Sequence, residues 1–190
     1  MIEKLTPEQE ALMPQYVEKW VNRGLSTERF DVEFATPIVN AFQTEILQRE
    51  KTPVVVVDNP LEAWVGCNLI ENGNANVDDI ADLREQIKDF FSQPIEMQKQ
   101  SMRNTVWPHQ DGSFFSSTFS LYDYMRDVVG VTFSEEINER YNIWEATSHL
   151  GPIFPLDNIC FVSQKPTSIK MNEENQLHCD GGPAIVIGWL

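Results

Sequence analysis

The fold is decided by Ile153 to Trp189, IFPLDNICFVSQKPTSIKMNEENQLHCDGGPAIVIGW, where short apolar runs alternate with turns made of Pro, Asn and Gly. Runs rich in Ile, Val and Phe between such turns read as strands joined by tight connections. The spacing predicts strands near 158–163, 168–171, 176–178 and 184–187, with Asn172 to Asn175 as a hairpin turn. Together they form a small antiparallel β-meander. Inside it, Leu177-His178-Cys179-Asp180-Gly181-Gly182-Pro183-Ala184 sets an imidazole, a thiol and a carboxylate side by side before a sharp turn. This is the densest local chemistry in the chain, and it makes His178, Asp180 and Cys179 the candidate catalytic residues.

Upstream, the periodicity is helical. Thr6-Pro7-Glu8-Gln9 supplies an N-cap hydroxyl, a proline for the first turn and a glutamine able to reach back to the cap, which is a capping box. Leu12, Tyr16 and Trp20, flanked by Met13, Val17 and Val21, follow at helical spacing and predict a buried aromatic stripe ending at Gly24. From Leu25-Ser26-Thr27-Glu28 to Gln48, Phe30, Phe34, Ile38, Phe42 and Ile46 recur every fourth residue, which predicts a second helical stretch, kinked at Pro37 or broken there by a short turn and restarted, and packed on the first as a hairpin. Val54 to Val57 is β-branched throughout, the mark of a strand buried on both faces. Further helical patterns cover 61–69, 78–91 and 119–129, and one opens at a second capping box, Thr132 to Glu135, with Ile137, Tyr141 and Trp144 inward. Helices, one strand, more helices and then strands make an α+β fold. Residues 1–152 are its mainly helical part, with one buried strand near 54–57, and 153–190 are the β-meander packed on it as part of the same domain.

Composition removes several function classes. Of 190 residues, 42% are hydrophobic, which predicts a folded core. No apolar run approaches the roughly 20 residues of a transmembrane helix, and MIEKLTPEQE lacks a signal core, so a soluble, cytoplasmic protein with no membrane partner is expected. Twenty-nine acidic against fourteen basic residues give a net charge of -15, which repels phosphate backbones and argues against direct nucleic-acid binding. The same acidity opens one alternative, an inhibitor that imitates nucleic acid, although the carboxylates are dispersed rather than clustered. Cys67, Cys160 and Cys179 are odd in number and far apart, which excludes a disulfide framework and a four-cysteine zinc site.

The remaining motifs are few. His178-x-Asp180 has the spacing of an iron-binding facial triad, but no histidine follows it, and the others are His109 and His149. No metal and no cofactor are therefore expected, and the imidazole is read as bonding a turn backbone while Asp180 caps the Gly181-Gly182 bend. A cysteine–histidine nucleophile pair is the other enzymatic possibility, though His178 and Cys179 project to opposite faces if both lie in a strand. The turn-rich loop Trp107-Pro108-His109-Gln110-Asp111-Gly112-Ser113 is the second place where chemistry could sit. Phosphate loops, nucleophile elbows and zinc-protease helices are absent from the sequence.

Both ends of the chain resemble an uncharacterised bacterial protein family of unknown function. The resemblance rests on Leu5-Thr6-Pro7-Glu8-Gln9, Trp20 and Leu25-Ser26-Thr27-Glu28, then on Ile153-Phe154-Pro155, Cys160, Lys165-Pro166-Thr167 and Leu177-His178 with Gly182-Pro183-Ala184-Ile185. It leaves about Gly66 to Ser148 uncovered, and it implies a shortened member, an architecture and a bacterial or phage setting, with no assigned catalytic residue. The function expected is a non-enzymatic interaction module whose partner is another protein. Its candidate binding residues are Trp107, His109 and Asp111 in one loop and Asp180, Gly181 and Gly182 in the other. A small enzyme using His178 with Asp180, or a cysteine–histidine pair, is the alternative.

Overall fold

Four consecutive valines have no polar face to turn to water, so they need cover on both sides, and that requirement organises the molecule. The computed structural model describes residues 4–94, 96–98, 109 and 112–188. Its elements run α1 (Pro7–Gly24), α2 (Val32–Ala41) with a π-turn at Phe42–Ile46, β1 (Val54–Val57), α3 (Pro60–Glu71), α4 (Ile80–Ser92), α5 (Ser116–Asp127), α6 (Glu135–Ala146), β2 (Ile153–Pro155), β3 (Cys160–Ser163), β4 (Ser168–Ile169) and β5 (Ile185–Val186). The fold is α+β, and among the described residues no helix is long and apolar enough to cross a membrane.

β3 lies between its neighbours in a mixed sheet of order β1-β3-β2, parallel to β1 and antiparallel to β2. Alternation along the strands divides their side chains between two cores. Val55, Val57 and Phe161 meet Ala63, Val65 and Cys67 of α3 and Leu83 and Ile87 of α4. On the opposite face Cys160 and Val162, with Val54 and Val56, meet Ala35 and Val39 of α2. Two glycines permit the close approaches. A Cβ on Gly66 would stand 2.5 Å from the Phe161 ring, and one on Gly151 would stand 2.3 Å from the Ser163 carbonyl oxygen.

A separate helical lobe is built on aromatic contacts and one buried charge. α1 lies along α5 through Tyr16 on Tyr124 and Trp20 on Phe119, with ring centroids 5.7 and 5.0 Å apart. The Asp123 side chain is only 2% exposed. Its Oδ2 accepts from Lys19 Nζ at 2.5 Å and Trp20 Nε1 at 2.9 Å, and its Oδ1 accepts from Tyr141 hydroxyl at 2.7 Å and Arg126 at 3.0 Å. Burial works to raise the carboxyl's pKa, but the donors Lys19, Tyr141 and Trp20 outweigh it and hold it below the ordinary carboxylate range.

Several expectations change in detail. The capping box at Thr6 and Gln9 forms, but of the α1 stripe only Trp20 is buried, while Leu12, Met13, Val17 and Val21 are exposed. α2 starts at the Asp31 cap instead of within Leu25 to Glu28, because Asp31 accepts the Phe34 amide, and α2 packs on the sheet instead of on α1. The cap of α6 is Ser134, whose hydroxyl accepts from Ile137 N, and Ile137 points outward at 46% exposure. The closing stretch makes antiparallel pairs as expected, but they are shared out. β2 and β3 join β1, whereas β4 and β5 form a two-stranded ribbon of their own.

Candidate functional site

The ribbon is defined by its hairpin turn. Asn172 Oδ1 accepts from the Glu174 and Gln176 amides at 3.0 and 2.8 Å, an arrangement that only a short side-chain carbonyl can reach, and Asn175 takes a positive φ of 58°. Met171 then bridges to Leu177, and Lys170 accepts through its carbonyl from the His178 amide and donates its own amide to Ala184. Farther along, Ser168 pairs with Val186 and Ile169 with Ile185.

This register brings Lys170 beside the candidate residues. Its Nζ lies 3.6 Å from Cys179 Sγ. The Gly181 amide is the main influence lowering the thiol's pKa, and Lys170 and the Gly182 amide add to it. His178 Nε2 and Asp180 Oδ1 are 2.7 Å apart, so the imidazole bonds its neighbour's carboxylate and not the turn backbone. The Asp180 side chain is 96% exposed, so this hydrogen bond is open to water and contributes little to stability. Gly181 and Gly182 are exposed, with open space where a Cβ would stand, so it is their amides that serve the site.

The other candidates are elsewhere. His109 stacks on Phe154 at 5.5 Å. His149 sits against the Arg23 guanidinium and Phe34, and burial, followed by that guanidinium, lowers its pKa. Trp107 and Asp111 lie outside the described residues. Burial pushes the Cys67 thiol up to about 12 and raises Cys160 as well, which makes both poor nucleophiles. The three histidines therefore have three separate sets of neighbours, and among the described residues no three His, Cys, Asp or Glu side chains converge on one point.

Beneath the ribbon runs a cleft of about 410 Å³, walled by Leu25, Leu150 and Pro152 of the body and by Ile169, Leu177, Ile185 and Ile187. Leu177, Ile185 and Ile187 are 54%, 38% and 37% exposed. The sequence pattern marks the ribbon's polar tip but not this apolar wall. Counting outward from the Asn172–Asn175 turn would have set Lys170 next to His178, but no sequence signal located the body's half of the cleft. Comparison with models of known protein families, with curated proteins and with solved structures finds no match.

Proposed function

We propose that this chain is a non-enzymatic interaction module that takes an extended apolar segment of a partner protein into the cleft between ribbon and body. The observation that carries this reading is the exposure of Leu177, Ile185 and Ile187 along one wall of that cleft. Apolar surface left in water forgoes about 25 cal/mol per Å² of burial energy, so an occupant that covers these side chains is favoured. A two-stranded ribbon is marginal alone, and among the described residues each of its strands keeps an unpaired edge. A strand added there gains main-chain hydrogen bonds as well as apolar contacts. The net charge of -15 favours a segment flanked by Lys and Arg. His178, Asp180 and Lys170 at the tip supply directional polar contacts at the rim. The resemblance of the two chain ends to an uncharacterised bacterial family belongs to this proposal as a statement about architecture.

The test is a displayed library of random peptides selected on the purified protein, followed by titration of the enriched sequences. Enriched peptides are expected to alternate apolar residues with Lys or Arg. They should bind the Leu177→Asp/Ile185→Asp variant at least about tenfold more weakly, while that variant keeps its melting temperature within a few degrees. Peptides that bind wild type and variant equally would overturn the reading, and so would a selection that enriches nothing.

A further inference from the structure

A second cleft lies at the opposite kind of place, the carboxyl end of the parallel strands. In open, mostly parallel α/β sheets, ligands bind in the crevice outside the carboxyl ends of the strands, and this mixed sheet has one parallel pair, β1 and β3. Here β1 leads into Asp58 and β3 into Gln164, and a cleft of about 410 Å³ opens at that edge, within the size range of small-molecule sites.

Its two walls carry opposite charge. On one side stand Asp31, Asp58 and Glu62, drawn from the α2 cap, the end of β1 and the first turn of α3. These are fixed in place. Asp31 Oδ1 accepts from Phe34 N at 2.8 Å, Asp58 pairs with Arg29, and Glu62 accepts from Asp58 N at 2.9 Å and Asn59 Nδ2 at 3.0 Å. On the other side stand Arg84 and Lys88, one turn apart on α4. Among the described residues neither makes a hydrogen bond or an ion pair. The floor between is the apolar edge of the core, Val57 and Ile87, and Gln164 closes one side, its amide bonded both ways to the Phe30 backbone at 2.5 and 3.2 Å.

Such a cleft rejects a simple anion, which the three carboxylates repel, and a simple cation, which Arg84 and Lys88 repel. We propose that it binds a small zwitterion of the α-amino-acid type, its ammonium toward Asp31 and Asp58 and its carboxylate on Arg84 and Lys88. The guanidinium fork and the ammonium are suited to hold the two carboxylate oxygens. The carboxylates opposite are held by their own partners, so the negative wall is in place before the ligand arrives. This inference stands apart from the ribbon cleft and does not need it.

Isothermal titration of the full chain with each standard L-amino acid, and with the N-acetyl and carboxamide derivatives of any that bind, tests it. At least one amino acid is expected to bind with Kd below about 1 mM, and blocking either its amine or its carboxylate should weaken binding about tenfold or more. Arg84→Ala/Lys88→Ala should do the same. Both side chains are exposed and, apart from the Arg84 charge acting on Glu62, make no hydrogen bond or ion pair among the described residues, so the fold is kept, and circular dichroism checks that it is. The Leu177→Asp/Ile185→Asp variant should bind the amino acid as wild type does. The proposal is overturned if none of the amino acids binds, if the blocked derivatives bind equally well, or if the double alanine variant retains wild-type affinity.

Discussion

The three-stranded sheet and the two-stranded ribbon are built from the same kinds of residue, yet they stand in opposite relation to water. Cys160-Phe161-Val162-Ser163 is buried along its whole length, with α2 over one face and α3 and α4 over the other. Ile185-Val186 and its partner Ser168-Ile169 have no such cover. The difference teaches that a short apolar strand is structural when helices reach both of its faces. When only one side is backed, the same composition leaves a surface that favours binding. The cysteines follow the same division, with Cys67 and Cys160 buried in the body and Cys179 half-exposed on the ribbon.

This contrast can be broken from the body first. Asp123→Ala removes the acceptor for Lys19, Trp20, Tyr141 and Arg126; the two cations reach water, but the buried Trp20 and Tyr141 donors are left unsatisfied, which costs about 1–3 kcal/mol each in urea unfolding. Because the folded pKa of Asp123 is depressed, its stabilisation is present above the unfolded value, about 3.9, and is lost as pH falls through the lower folded value. Asp123→Asn should flatten that part of the acid-denaturation curve. An unchanged curve would mean that the carboxylate is not held as described.

Gly66→Ala comes next, because its Cβ would meet the buried Phe161 ring, and overpacking of this kind costs about 1–3 kcal/mol. Thermal melts should register it. Ile185→Ala on the ribbon, where the side chain is 38% exposed, should cost less than about 1 kcal/mol by the same measurement. A larger loss there would show the ribbon to be part of the core and would erase the contrast. The smallest effect on stability is expected from His178→Ala, within about 0.5 kcal/mol, since its contact with Asp180 is open to water. Iodoacetamide at neutral pH sharpens the comparison without a mutation. Mass spectrometry should find Cys179 alkylated in the native protein and Cys67 and Cys160 only after unfolding. Equal labelling of all three would contradict the assignment.

The parts of the fold legible in the sequence are those written locally. Val54 to Val57 is a strand where its composition predicts one, though only Val55 and Val57 are buried while Val54 and Val56 are half-buried, and Thr6 with Gln9 caps its own helix as predicted. What escaped depends on partners distant in the chain. Met13 and Val17 fit a core stripe as well as Trp20 does, and only the placement of α5 decides that Trp20 is covered while they are not. The parallel pairing of β1 with β3 joins residues as far apart in the chain as Val54 and Cys160, which turn chemistry cannot reveal. At the candidate site, the cluster of His178, Cys179 and Asp180 was visible as a string of letters. Its sorting into a His178–Asp180 pair and a Cys179–Lys170 pair needed the register of the hairpin.

The most direct test of the ribbon's role is amide hydrogen exchange, measured with and without a peptide selected on the protein. In the free protein, β4 and β5 should exchange far faster than Val55 and Phe161, whose strands open only with global unfolding. With peptide bound, the amides of 168–171 and 184–187 should slow markedly while those of β1 and β3 stay as they were. Protection that appears elsewhere in the chain, with the ribbon still exchanging freely, would contradict the account.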